Sequence, residues 1–355
     1  MTLKKLACRR VQKLTPYQSA RRIGGVGRIY LNANENPLSI NYDLDSSVYN
    51  RYPDCQPQEV LQAYADYAGV KPEQVMVSRG SDEAIGLLVR TFCEVEQDQI
   101  LICPPTYGMY SIAAETNGVG VIKVAPREDF QPDAPAIKQA LDQNSVKVVF
   151  FCSPNNPTGT IIDEDILTDI LEYTKDRTLV VVDEAYIEFN MQKSMITLLK
   201  KYSNLVITRT LSKAFGLAGL RCGFTIADPR IIGLLLKVID PYPICAPVAQ
   251  VATAALQKSN LEVVFERVAM LNEIRDSFAE KVKKLPFVSK VYPSNGNYSL
   301  VEFTDGEKLF GYMKEQGIIL RDFNDKPRLK NCVRITIGTR EEMNQVLEAM
   351  ERFPQ

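Results

Sequence analysis

Histidine is absent from all 355 residues. Its absence excludes every Cys/His zinc site and every triad that needs an imidazole. The eight cysteines, at 8, 55, 93, 103, 152, 222, 245 and 332, never form Cys-x-x-Cys. Cys103, Cys152 and Cys222 lie in strand-like apolar text and read as reduced core thiols, which points to a cytoplasmic protein. Charge of one sign is missing too. With 42 Lys+Arg against 43 Asp+Glu the formal net charge is −1, far from the basic footprint of a nucleic-acid binder. Long hydrophobic runs are lacking: "IIGLLLKVI" (231–239) falls well short of the roughly 20 residues of a membrane span. The opening "MTLKKLACRR" carries lysines but no apolar core of a signal peptide, and "LAC" before Arg9 lacks the run that a lipoprotein signal needs. No internal repeat or low-complexity tract is visible. No strand is followed by Gly-x-Gly-x-x-Gly, which disfavours a NAD-binding Rossmann enzyme, and "GGVG" (24–27) is too degenerate for a phosphate loop.

What is present reads as an ordinary globular protein, 45% hydrophobic and 24% charged, of a length at which one core usually divides into two. Short Val/Ile-rich runs recur from about residue 74: "QVMVSRG", "QILIC", "VKVVFFC", "TLVVVDEAY", "NLVITRTLS" and "RCGFTIA". Near-continuous apolar runs bounded by polar turns suit strands buried on both faces, and their alternation with helical text implies a mostly parallel sheet covered by helices. After "DPYPICAP" (240–247) the text changes to long helical periodicity over 248–284, then to "NYSLVEF", a helix over 306–316, "GIILRD", "CVRITIG" and a final helix. The expected fold class is therefore α/β, a mostly parallel sheet sandwiched by helices with a second, smaller α+β domain. Residues 1–27 read as an N-terminal arm, 28–44 with 248–355 as the small domain, and 45–247 as the large domain.

Ligands of open α/β sheets bind beyond the carboxyl ends of the strands. Three polar residues fall there: Asn156 after "VVFFCSP", Asp183 at the end of "LVVVD", and Lys213 after "LVITRTLS". They are spaced 27 and 30 residues apart, close to one βαβ unit of roughly 30 residues, so all three can meet at one edge of the sheet. A lysine amine forms a Schiff base with a carbonyl. Pyridoxal phosphate (PLP) offers that carbonyl, a pyridine nitrogen that an acid can keep protonated, a phenolic oxygen and a phosphate. Asp183 suits the nitrogen, Asn156 and Tyr186 the phenolic oxygen, and Thr210, Ser212 and Arg221 the phosphate. Gly80, Ser81 and Asp82 stand where a strand gives way to a helix, so backbone N–H groups and the helix dipole face an anion. Tyr107, at another strand-to-helix turn, can stack on the pyridine ring. Singly, each residue also reads as something plain: a solvated lysine, a capping aspartate, a "SPNNPTG" turn, a packing tyrosine. Their combination at phased strand ends favours the cofactor.

The segments "SPNNPTG", "VVDEAYIEF", "TLSKAFGLAGLRCGF" and "VRITIG" together resemble the fold-type I PLP-dependent aminotransferases, in order and spacing over nearly the whole chain. "LTPYQSARR", "LNANENP", "NRYPDCQP", "CPPTYGMYS" and "ILRD" are similar to one branch, the histidinol-phosphate aminotransferases. The resemblance implies that Lys213 is the Schiff-base lysine and proton shuttle. It implies that Asp183 pairs with the pyridine nitrogen, and that Asn156 and Tyr186 bind the phenolic oxygen. Ser81, Asp82, Thr210, Ser212 and Arg221 would hold the phosphate, with Tyr52 reaching in from the second subunit of an obligate homodimer. Arg334 matches the carboxylate-binding arginine of the small domain, while Arg321, Tyr17 and Asn156 would help to grip the substrate. No metal is implied. The expected reaction is transamination of L-histidinol phosphate with 2-oxoglutarate to imidazole-acetol phosphate and L-glutamate. One anion site must then accept a phosphate and a carboxylate in turn, which guanidinium forks can do; Arg321 alone also reads as a surface partner of Asp322 or Asp325. The alternatives are an aromatic-amino-acid aminotransferase or a threonine-phosphate decarboxylase of the same fold, and a silent PLP-binding regulator, which the intact Lys213 disfavours.

Overall fold

In the computed structural model of the chain, residues 6–15, 19–20 and 25–354 are described. The strands in chain order are β1 (Ile29–Tyr30), β2 (Val75–Ser78), β3 (Gln99–Ile102), β4 (Gly120–Lys123), β5 (Val146–Cys152), β6 (Leu179–Asp183), β7 (Leu205–Thr210), β8 (Gly223–Ala227), β9 (Val288–Val291), β10 (Tyr298–Phe303), β11 (Ile318–Ile319), β12 (Arg321–Asp322) and β13 (Cys332–Thr336). A seven-stranded sheet runs β2-β8-β7-β6-β5-β3-β4. Its pairs from β7 to β4 are parallel, whereas β8 is antiparallel to both β7 and β2.

The apolar runs explain why this sheet lies in the middle. Successive side chains alternate between faces, and both faces are apolar: Val180 and Val182 enter one core cluster with Val149 and Ile207, while Val181 enters another with Val148, Phe150 and Val206. Helices cover both sides. Helix Ser81–Phe92 sends Ile85, Leu88 and Val89 into the second cluster, and helix Glu164–Thr174 sends Leu167, Ile170 and Leu171 into the first.

The C-terminal part holds a separate antiparallel sheet, β12-β13-β10-β9, flanked by helices Gly306–Glu315 and Arg340–Glu351. The latter starts in a full capping box between Thr339 and Glu342. Strand β1 returns from the far end of the sequence to pair in parallel with β11. "GIILRD" is thus split at Leu320 between two sheets. The helical text over 248–284 resolves into two helices, Ala246–Ala255 and Lys258–Val282. The Asn260 side chain braces the break, donating at 2.7 Å to the Ala254 carbonyl, which also accepts from the Gln257 N–H at 3.1 Å.

Candidate active site

The parallel register brings the phased residues together. Cys152 is the Cα partner of Asp183, and Asp183 of Thr208, so β5, β6 and β7 end side by side. Beyond them opens a cavity of about 920 Å³, into which Asn156, Asp183, Tyr186, Lys213, Arg321 and Arg334 all project. Ser81, Asp82, Tyr107, Thr210, Ser212 and Arg221 line the same cavity.

At one end stands an anion cradle. Helix Ser81–Phe92 begins at Gly80 with no side-chain cap, which leaves its first N–H groups aimed outward with the positive end of the helix dipole. Gly80 has φ +79°, and a Cβ there would lie 2.9 Å from the Arg221 guanidinium. A Cβ on Gly223 would meet the Ser81 nitrogen at 2.5 Å, so strand, helix end and arginine close in only because both positions are glycine. The Arg221 guanidinium donates to Ser212 Oγ at 3.4 Å and to Asp82 Oδ2 at 3.2 Å. Thr210 accepts from the Ser212 N–H at 3.1 Å and donates to the Cys222 carbonyl at 3.1 Å.

Asp183 lies at the floor. It is 2% exposed; burial pushes its carboxyl up to about 6, although the hydrogen bond from Tyr110 favours the charged form. The Tyr110 hydroxyl donates to Oδ2 at 2.8 Å, and its ring stacks on Phe150 at 4.9 Å. On the opposite face of the sheet, Glu184 and Arg209, both 1% exposed, form a salt bridge at 2.8 Å. Glu184 also accepts from the Met195 N–H at 2.7 Å. The pair pins the strand ends that carry Asp183 and Thr210.

Lys213 Nζ donates to the Ala33 carbonyl at 2.9 Å and sits 5.7 Å from the centre of the Tyr186 ring. Burial, aided by the positive charge of Arg334, pushes its amine down to about 8. A buried lysine near a second cation is the arrangement that yields a nucleophilic amine. Arg334 is buried; it donates to Asn156 Oδ1 and, at 2.8 Å, to the Asn32 carbonyl. Arg321 is its Cα partner across the β12–β13 pair, so two guanidinium groups enter one cavity from adjacent strands. Of the acidic neighbours, Asp325 pairs with Lys326 at 2.7 Å and Asp322 accepts from the Asn324 N–H at 2.9 Å.

The donor set suits PLP end to end: an anion cradle, a buried carboxyl that a cationic ring nitrogen would stabilise, hydroxyl and amide donors between them, and a neutralisable amine. Tyr107 lines the cavity, donating to Asp82 Oδ1 at 2.9 Å with its ring edge-on to Tyr110. Tyr52 is not among the cavity residues. It is 81% exposed and stacks on Tyr242 at 4.4 Å. Tyr17 lies outside the described residues. Sequence reasoning missed Tyr110, Asn155 and Asn34. The Asn155 side chain accepts from Thr106 and donates to the Pro105 carbonyl, tying the Tyr107 loop to the Asn156 loop.

The family model for aminotransferase class I and II matches residues 29–350. The chain belongs to aminotransferase class I and II. Within this family, it is 54% identical over 354 residues to a histidinol-phosphate aminotransferase of Aeromonas hydrophila, covering 100% of this chain and 99% of that one. Among solved structures, a histidinol-phosphate aminotransferase from Clostridium acetobutylicum superposes with a TM-score of 0.83 at 25% identity, over 91% of this chain and 98% of the other. A Sinorhizobium meliloti histidinol-phosphate aminotransferase, solved in complex with pyridoxal-5'-phosphate, shares the fold with a TM-score of 0.84 at 21% identity, covering 98% of each chain.

Proposed function

We propose that this aminotransferase uses PLP to move the amino group of L-histidinol phosphate to 2-oxoglutarate, giving imidazole-acetol phosphate and L-glutamate. The observation that carries the substrate is the pair Arg321 and Arg334, directly opposite each other in the cavity that holds Lys213. Two guanidinium forks suit a phosphate dianion and can regrip a carboxylate in the second half-reaction.

When bound, PLP supplies a carbonyl for the amino group and a ring that draws electrons from the adjacent carbon. The residues do the rest. Lys213 Nζ, pushed down to about 8, loses its proton far more readily than an exposed lysine, and would take the proton from the substrate Cα and pass it to the carbonyl carbon of the cofactor. Asp183, as a buried carboxylate, would hold a proton on the pyridine nitrogen. Asn156 and Tyr186 would donate to the phenolic oxygen. The helix end at Ser81 and Asp82, with Thr210, Ser212 and Arg221, would anchor the phosphate, and Tyr107 would pack against the ring. Arg334, with Arg321, Tyr17 and Asn156, orients the substrate so that its Cα–H faces Lys213.

On the same reading the active unit is a homodimer in which Tyr52, exposed within one chain, completes the phosphate site of the other. Residues 28–44 and 248–355 are the small domain that carries Arg321 and Arg334; 45–247 are the large domain, and 1–27 the arm. The eight free thiols support a reducing cytoplasm as its compartment.

The test is a spectroscopic titration of the protein loaded with PLP. Histidinol phosphate should bleach the visible band of the lysine-bound cofactor, and 2-oxoglutarate should restore it. Absence of a visible band after PLP addition overturns the cofactor reading. A kcat/KM for phenylalanine above that for histidinol phosphate, or release of carbon dioxide from threonine phosphate, overturns the substrate. Lys213→Ala should keep weak cofactor binding and lose turnover.

A further inference from the structure

Tyr186 has a single hydroxyl proton, and its direction decides whether the residue can donate into the cavity. The oxygen accepts two hydrogen bonds, from Asn34 Nδ2 at 3.0 Å and from Asn156 Nδ2 at 3.4 Å. A hydroxyl has two lone pairs and one proton. With both lone pairs engaged by protein amides, the proton is left to point into the cavity that Tyr186 lines.

The Asn34 contact is built from the far side of the molecule. Asn34 is fully buried and holds φ +52°, a left-handed conformation that asparagine tolerates better than most residues. Its backbone N–H donates to Thr336 Oγ1 at 2.9 Å, and the Thr336 hydroxyl donates back to Asn34 Oδ1 at 3.0 Å. Its carbonyl accepts from Asn297 Nδ2 at 3.0 Å. Because the Thr336 proton is committed to Oδ1, the amide cannot turn over without stranding it. Nδ2 is therefore held toward Tyr186. Thr336 lies two residues from Arg334 on β13, so the strand that binds the substrate anion also sets the Tyr186 proton.

We propose that Asn34, held by Thr336, is a positioning residue that directs the Tyr186 hydroxyl proton to the phenolic oxygen of bound PLP. This rests on the cofactor reading above. Asn34 touches neither cofactor nor substrate in this role; it acts through Tyr186. The charged and titratable groups around that hydroxyl are Arg334, Asp183, Cys152, Lys213 and Tyr298, and none of them supplies the N–H donor that Asn34 gives to its oxygen.

The test is the pH titration of the visible band of the PLP-loaded protein without substrate. Donation to the phenolic oxygen favours its anionic form, so losing it raises the proton affinity of the lysine-bound cofactor. Tyr186→Phe should raise that affinity about tenfold, one net hydrogen bond. Asn34→Gly keeps the positive φ without strain and should raise it about three- to tenfold. Thr336→Val, which frees the amide but leaves Asn34 in place, should move it the same way by less. Asn34→Gly combined with Tyr186→Phe should shift no further than Tyr186→Phe alone. A lowered melting temperature with a wild-type titration midpoint in Asn34→Gly and Thr336→Val overturns the proposal. So does full additivity in the double variant. Failure of the wild-type protein to show a visible band at all defeats the cofactor reading instead, and is distinguished at the first measurement.

Discussion

Asp183 leads to a signed prediction about stability. Its carboxyl is raised from an ordinary 3.8 to about 6, with burial as the main cause. Between those values the folded protein holds a proton that the unfolded chain has already lost. By linkage, stability falls as pH rises through that window, and the deficit stays in place above it. The gap is about two pH units, and at 1.36 kcal/mol each that is about 3 kcal/mol of folding free energy carried by the cofactor-free protein at neutral pH. On the proposed reading, a cationic ring nitrogen beside the carboxylate would remove the deficit, and cofactor binding would gain by that amount. The perturbation is Asp183→Asn, which keeps the shape and deletes the titration. Denaturant unfolding of both cofactor-free proteins, from pH 4 to pH 7.5, should show the variant gaining on wild type by about 3 kcal/mol as pH rises. Added PLP should shrink or reverse that gain, because only wild type can form the ion pair. Parallel stability profiles for the two proteins would refute the reasoning, since they would mean that Asp183 titrates alike in the folded and unfolded chains.

Other outcomes follow from the same geometry. With PLP removed, acylation of the Lys213 amine, followed by mass spectrometry, should be half-maximal near pH 8, as its lowered value requires; a midpoint above 10 contradicts the desolvated amine. Gly80→Ala forces a side chain into φ +79° and against Arg221, and should weaken PLP binding by about tenfold or more through strain of 1–3 kcal/mol, read by fluorescence titration. Tyr298 donates to the Asn155 carbonyl at 2.6 Å. Tyr298→Phe should lower kcat/KM about fivefold in both half-reactions, the worth of one buried hydrogen bond, with the visible band of the cofactor unchanged.

The sheet and most of the site are legible in the sequence because both depend on local patterns. "VKVVFFC" and "TLVVVDEAY" announce strands buried on both faces, and a spacing of one βαβ unit places Asp183 beside the end of β5 before any contact is known. Direction within the sheet is less legible. "RCGFTIA" reads as another strand, yet β8 runs antiparallel to β7. The cue was the text between them: residues 211–222 carry Lys213 and two glycines but no helix to make a parallel crossover. The short edge strand β4, with its exposed Gly120 and Lys123, and the half-polar β9 lack the apolar run that marks the others.

Asn34 shows where such reading stops. The "LNANENP" segment is polar and turn-like, and by composition it belongs on the surface. In the folded chain Asn34 is fully buried, because partners 152, 263 and 302 residues away satisfy its polar groups. No local pattern encodes that. The same holds for Tyr110, whose hydroxyl reaches Asp183 across 73 residues. Both residues orient or tune a group that the sequence did reveal. Residues that touch the chemistry are thus marked by type and phase at strand ends, while those that set a proton's direction or a carboxyl's affinity are marked only by three-dimensional contact. If so, variants of the second kind should move titration midpoints more than they move turnover, and Asn34→Gly tests this most directly, because its backbone ties to Thr336 and Asn297 survive the loss of the side chain.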